Sequence, residues 1–347
     1  MNHYIDTFPG RKITIDGVSH LYFGGTSYLG LQTDADFQKL FIKNIKKYGT
    51  NYGASRKSNI RLSVFDKAEA YLADLVGSEA CISLSSGYLA GQFLAQALNT
   101  KAHQFFYAPN THSALYQEKI KPYTTFAALN IAVREHLSSS KTTPVVFLDG
   151  IDFSGCNYPH FEALQVLPLD KILLVVDDSH GLGIVGKNGG GVYSILAKLN
   201  IKELIVCGSL GKGFGIQAGA IFGTKARLAA LADTSFFGGA SPATPAAMAT
   251  LLEADGLYGL KRNRLQRNIA YFLDHLKKRK QFHFMQDHPV FTFSNVQLTE
   301  YLAANKIIVT CFPYPDKNAQ LMSRIVLSAA HKKKDIMHLL ECVNILP

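Results

Sequence analysis

The sequence predicts an α/β protein: a mostly parallel central sheet flanked by helices, followed by a smaller α+β C-terminal domain. In the middle of the chain, short apolar runs rich in branched residues alternate with helical stretches, the pattern of parallel strands covered on both faces. Polar and glycine-containing segments follow the ends of those runs, where open α/β sheets bind ligands. After about residue 235 the alternation stops, and Ser241-Pro242-Ala243-Thr244-Pro245 breaks the chain before a long helical stretch.

Taken in order, Ala80 to Leu84, Val145 to Leu148, Ile172 to Val176, Leu204 to Cys207 and Gly219 to Phe222 are expected as strands. Helices are expected at Val64 to Val76, with Ala68, Leu72 and Leu75 on one face, at Gly87 to Leu98 and at Val192 to Leu199. A helical stretch from Ala246 to Lys280 leads to short strands at Val290 to Ser294, Ile307 to Val309 and Arg324 to Ser328, and to a final helix from about Asp335 to Val343. The expected division is an N-terminal segment (1–47) packing with the small domain, a large ligand-binding domain (48–240), and a linking helix with the small domain (241–347).

Composition narrows the class. The chain has 347 residues, 47% of them apolar, enough for a large core and about two domains. No apolar run reaches the roughly 20 residues of a membrane helix, and the first residues lack the parts of a signal peptide, so a cytoplasmic protein is expected. The five cysteines (Cys81, Cys156, Cys207, Cys311, Cys342) are scattered and read as buried thiols, and no metal-ligand spacing occurs. The net charge of +10 comes from short runs such as Lys277-Lys278-Arg279-Lys280, expected in the last turn of a helix where cations suit the dipole. No aromatic-interleaved basic motif points to nucleic acid.

The chemistry is signalled by Lys212, in Gly208-Ser209-Leu210-Gly211-Lys212-Gly213-Phe214-Gly215 after an apolar run. A lysine among glycines at a strand end is a candidate imine former. Asp177, closing another apolar run, is costly to bury without a partner. Lysine and acid together suggest pyridoxal 5'-phosphate (PLP), which needs a Schiff-base lysine and an anion for its ring nitrogen. Asp178 reads as a turn or capping residue. His180 could reach the ring oxygen or be a satisfied polar residue, and Ser209 could donate to phosphate or form a turn. Ser85-Ser86-Gly87-Tyr88 opens a helix after a strand and is either an anion site or an ordinary cap.

These motifs, together with Tyr28-Leu29-Gly30-Leu31 and Arg324 to His331, occur in an order that resembles the α-oxoamine synthases, a family of fold-type I PLP-dependent transferases, from about Tyr22 to the C-terminus. The resemblance implies that Lys212 bonds the cofactor, Asp177 pairs with the ring nitrogen, His180 contacts the ring hydroxyl, His112 stacks on the ring, and Gly87, Tyr88 and Ser209 hold the phosphate. Arg324 would grip the amino-acid carboxylate, a role suited to a bidentate fork; its bland alternative is a strand-end salt bridge. Thr26 would face the substrate. The implied reaction joins an amino acid to an acyl-CoA thioester with decarboxylation, in a homodimer whose neighbouring subunit completes the phosphate site through Phe237 to Pro242. The alternatives are a PLP-dependent aminotransferase that does not use CoA and a non-catalytic protein of the same fold.

The chain also departs from the family. Thr26-Ser27 replaces an Asn-Asp pair, Phe65 stands where a histidine is expected, Gly238-Gly239 replace hydroxyl residues, and the N-terminal segment is short. Cofactor residues match the family better than substrate residues do.

Overall fold

A computed structural model describes residues 3–117, 121–153, 157–314, 318, 319 and 321–345. Cys156 lies outside the described residues. The strands are β1 (Lys12–Ile15), β2 (Val18–Phe23), β3 (Ala80–Leu84), β4 (His103–Tyr107), β5 (Thr143–Asp149), β6 (Leu173–Asp177), β7 (Glu203–Ser209), β8 (Gly219–Gly223), β9 (His283–Phe284), β10 (Val290–Phe293), β11 (Ile307–Pro313) and β12 (Leu321–Val326). They form two sheets in two compact units, one of residues 39–152 and 156–255 and the other of 1–38, 153–155 and 256–347.

In the larger unit the strand order is β3-β8-β7-β6-β5-β4. Strands β4 to β7 are parallel, and β8 runs antiparallel to both its neighbours. The sheet is mostly parallel, as the unbroken apolar runs require: Val145 to Leu148 and Leu173 to Val176 are buried on both faces. Helix Gly87–Leu98 packs Ala90, Phe93, Leu94 and Leu98 into one cluster with Ile82, Phe147, Val175, Ile205 and Ile221. Helix Ser63–Val76 buries Val64, Phe65, Ala68, Leu72 and Val76 at helical spacing and stops at Gly77, whose φ of 83° is open to glycine. Strand β4 and helix Phe126–Ser139 were not foreseen, because His103-Gln104 and Asn130 to Glu135 dilute the apolar pattern. The stretch expected as a helix from Val192 to Leu199 is helical only over Tyr193–Leu196.

The compact units divide at 38/39 and 255/256, whereas the boundaries expected from sequence fall at 47/48 and 240/241. The buried Asn44 donates to Thr250 Oγ1 at 3.2 Å, and Lys43 pairs with Glu253, so residues 39–48 and 245–255 are tied together within the larger unit. The expected Ala246 to Lys280 helix is two helices, Pro245–Glu253 and Asp255–His275, separated at Ala254. Lys277 to Lys280 therefore lie beyond the helix end. Arg279 nonetheless serves that end, since its guanidinium donates to the Leu273 carbonyl oxygen.

In the smaller unit the order is β1-β2-β11-β12-β10-β9. The hairpin β1-β2 joins through parallel pairing of β2 with β11. Arg11 Nη1 donates to both carboxylate oxygens of Asp335, at 2.7 and 2.8 Å, linking the hairpin to helix Lys333–Ile345. His331 is buried: its Nδ1 accepts from Ser328 N, its Nε2 faces the Tyr22 carbonyl, and its ring stacks on Phe23 at 4.0 Å. Burial lowers its pKa from 6.5 to about 4. The unfolded chain takes up a proton below pH 6.5 that the folded chain refuses until about pH 4. This stabilisation is complete above 6.5 and is lost as pH falls towards 4, about 3 kcal/mol in all. Urea midpoints at pH 7 and pH 5 should therefore differ more in the wild type than in His331→Asn.

Candidate active site

Strands β5, β6 and β7 bring Asp149, Asp177 and Cys207 into register at their carboxyl ends. Neighbouring strands are about 4.8 Å apart, so the two carboxyl groups share one environment. Asp177 is 9% exposed, and its Oδ1 accepts from Ser179 N at 2.8 Å. Burial first, and then the charge of Asp177, push the Asp149 carboxyl well above the usual carboxylate range, which favours its protonated form. Its Oδ1 accepts from His112 N at 3.0 Å.

Lys212 sits in the single helical turn Leu210–Gly213 that follows β7, with its Nζ 3.0 Å from His180 Nε2. The two loops meet backbone to backbone. A Cβ on Gly213 would lie 2.0 Å from Leu182 O, and one on Gly183 would lie 2.9 Å from Gly213. Gly213 thus serves contact between the loops. Ser179 Oγ accepts from Ser209 N at 2.9 Å, a second tie between the same loops.

His112 caps a short turn with Nδ1 accepting from Ala114 N at 3.1 Å, which leaves the proton on Nε2. Burial lowers its pKa, while Asp177 raises it and Lys212 lowers it, so the imidazole is neutral and belongs to the same electrostatic cluster. The structure therefore brings together five of the expected residues: Lys212, Asp177, His180, His112 and Ser209.

At the end of β3, Ser86 is the cap of helix Gly87–Leu98, with Oγ accepting from Leu89 N at 3.1 Å. Gly87 and Tyr88 occupy the first turn, whose N–H groups have no intrahelical acceptor, and the positive helix end favours an anion there. The Tyr88 side chain is 59% exposed, so its contribution here is the backbone N–H. Ser209 Oγ accepts from Gly211 N at 3.2 Å, leaving its hydrogen for a further acceptor. A Cβ on Gly87 would lie 2.6 Å from Ser209 N and 2.7 Å from its Cα. Gly87→Ala must push the helix start away from Ser209, and we expect a loss of anion affinity of about 10- to 100-fold, corresponding to overpacking of about 1–3 kcal/mol. Titration of the apoprotein with cofactor measures it.

Ser85 N donates to Ser241 O at 3.2 Å within the larger unit, and Phe237 is buried in that unit's core, so part of the Phe237 to Pro242 stretch has a place in its own chain. Phe65, in place of the expected histidine, lies under the Arg56 guanidinium at 4.2 Å. Arg56 is itself engaged by Glu69 at 2.7 and 3.0 Å.

In the smaller unit, Arg324 and Thr26 line a largely apolar cavity of about 690 Å³ with Tyr28, Ile13 and Val309. Arg324 is on β12, and its buried Nε has no hydrogen-bond acceptor. Among the described residues it makes no ion pair. Tyr28-Leu29-Gly30 is strapped to the turn after β12, with Ala329 N donating to Tyr28 O at 2.9 Å and Ser328 Oγ to Ser27 O at 3.1 Å.

Asp178 is fully buried; its carbonyl oxygen accepts from Gly181 N and Leu182 N, as in a turn, and its side chain accepts from Val192 N at 2.8 Å, holding the glycine loop that follows. Asp149 was missed, although it closes an apolar run as Asp177 does. Among the described residues Cys81, Cys207 and Cys342 are buried free thiols and Cys311 is partly exposed. No metal-ligand cluster and no helix able to cross a membrane occur among those residues.

The sequence profile of aminotransferase class I and II matches residues 27–343. The chain belongs to that family. As an aminotransferase class I and II member it is 26% identical to the 8-amino-7-oxononanoate synthase of Thioalkalivibrio sulfidiphilus, over 95% of this chain and 89% of the relative. It is 25% identical to the enzyme of that name from Thermosipho melanesiensis, over 97% and 90%. The fold of this family member matches Sphingomonas wittichii serine palmitoyltransferase with a TM-score of 0.82, at 18% identity over 99% of this chain and 91% of the other. It also matches 8-amino-7-oxononanoate synthase from Francisella tularensis with a TM-score of 0.71, at 22% identity over 94% and 97%. The architecture is that of a fold-type I transferase.

Proposed function

We propose that this chain is a PLP-dependent acyltransferase that joins an amino acid to the acyl group of a CoA thioester, releasing carbon dioxide and the free thiol and forming an aminoketone. The observation that carries this is the 3.0 Å contact of Lys212 Nζ with His180 Nε2 beside Asp177. It occurs in a chain whose relatives over 95% or more of its length are named 8-amino-7-oxononanoate synthase.

The residues fit the cofactor. Its phosphate suits the open first turn at Gly87 and Tyr88 and the Ser209 hydroxyl, where a Cβ on Gly87 has no room. Asp177 would face the ring nitrogen, His180 the ring oxygen, neutral His112 the ring face, and Lys212 the aldehyde carbon. When bound, PLP supplies an aromatic ring that withdraws electrons from the α-carbon of an attached amino acid. Lys212 Nζ moves the α-proton, acting as base once its amine is free. Asp149, shifted towards its protonated form beside Asp177, disfavours two charges on the pair and anchors the His112 backbone. Arg324 holds the substrate carboxylate, with Thr26 on the wall of the same cavity. The working form is proposed to be a cytoplasmic homodimer in which Gly238 to Pro242 supply backbone contacts to the neighbour's phosphate site.

The test is thiol release from a panel of acyl-CoAs with glycine, alanine and serine. Release with at least one pair is expected. Release of an oxo acid from the amino acid alone, with no thiol from any pair, replaces this assignment with a transaminase.

A further inference from the structure

Arg324 is a half-buried cation with no ion pair among the described residues. Its Nε has no acceptor, and among the described residues no carboxylate pairs with it. Tyr28, its electrostatic neighbour, provides no anion, because full burial raises that hydroxyl's pKa far above neutrality. What Arg324 does have is an aromatic face: the Phe153 ring centroid lies 4.0 Å from its Cζ. Phe153 holds this position at a φ of 54°, a left-handed conformation that a bulky residue adopts only when its surroundings enforce it. The ring is braced edge-on by His288 at 5.5 Å, and His288 by Tyr28 at 5.5 Å.

We propose that Phe153 is a positioning and specificity residue for the amino-acid carboxylate, closing one face of the Arg324 guanidinium so that its fork accepts a planar anion in its own plane. This rests on the assignment of Arg324 to the substrate carboxylate. The ring face stabilises the cation in the absence of substrate and uses none of its N–H donors, which stay available for two parallel hydrogen bonds. A tetrahedral phosphonate needs room above and below that plane, and Phe153 takes one side. Packing alone makes a different demand, since any apolar side chain of similar volume satisfies it.

The experiment compares Phe153→Leu, which keeps bulk without the π face, with Phe153→Tyr, which keeps both. Binding of alanine and of 1-aminoethylphosphonate to the coloured holoprotein is followed by spectral titration, and KM and kcat are measured where turnover occurs. In Phe153→Leu we expect alanine binding weakened about 10-fold and carried in KM, kcat within about 3-fold of wild type, and a smaller preference for carboxylate over phosphonate. Phe153→Tyr should restore all three. Wild-type affinity and preference in Phe153→Leu overturn the proposal, as does a tyrosine variant no better than the leucine one. Arg324→Ala separates the underlying assignment: unchanged alanine affinity there removes Arg324, and Phe153 with it, from the carboxylate site. Tight alanine binding without thiol release from any acyl-CoA overturns the acyl-transfer reading and leaves the role of Phe153 standing.

Discussion

Lys212→Ala is expected to lower turnover on the order of 10⁴-fold and to abolish the visible absorbance of the lysine adduct with the cofactor, because one amine serves as both attachment point and base. The fold should survive. The loops around Lys212 are held by the Gly213 and Gly183 backbone contact and by the Ser179 bond to Ser209 N, neither of which involves the lysine side chain. A melting temperature within a few degrees of wild type is the accompanying control. Lys212→Arg should be nearly as inactive, since a guanidinium does not give up its proton. Exchange of the substrate α-proton with deuterated solvent separates the two roles. Retention of a tenth of wild-type turnover in Lys212→Ala would falsify the assignment.

Asp177→Asn should cost about 3–5 kcal/mol of the interaction with the ring nitrogen, the penalty for breaking a buried charge pair, or about 10²- to 10⁴-fold in kcat. The neighbouring Asp149→Asn should behave differently, although the two acids sit in register on adjacent strands. The Asp149 carboxyl is shifted towards its protonated form, and an asparagine Oδ1 still accepts from His112 N, so we expect kcat within about 5-fold of wild type. The pH signature tells them apart. Because the folded pKa of Asp149 is raised, the native chain binds more protons than the unfolded chain above the ordinary carboxylate range of about 4. Stability from this group is therefore present below pH 4 and declines as pH rises towards the folded value. Asp149→Asn removes that decline and should raise the urea midpoint at pH 7 relative to wild type. A lower midpoint at pH 7, with kcat lost as in Asp177→Asn, would show that Asp149 carries the charge.

The strands that position the site were legible because a parallel strand buried on both faces is written as an uninterrupted apolar run, and β3 was delimited residue for residue. Lys212, Asp177 and His180 stood out because polar groups at the ends of such runs are costly unless used. Asp149 carried the same signal and was overlooked because nothing in a single strand reveals which other strand end lies beside it. The one long helix expected from Ala246 to Lys280 became two because a helical pattern does not register a one-residue break at Ala254.

From sequence alone came the α/β class, the lysine, the acid and the order of motifs, all of which are local properties of short segments. Tertiary structure decided that Asp149 lies beside Asp177 with its carboxyl shifted towards the protonated form, which glycines exist for contact between loops, and that the half-buried Arg324 lies against Phe153 with no ion pair among the described residues. The physical reason is that burial, electrostatic coupling and backbone approach depend on neighbours distant in the chain, as Asp149 and Asp177 are from one another and Phe153 is from Arg324.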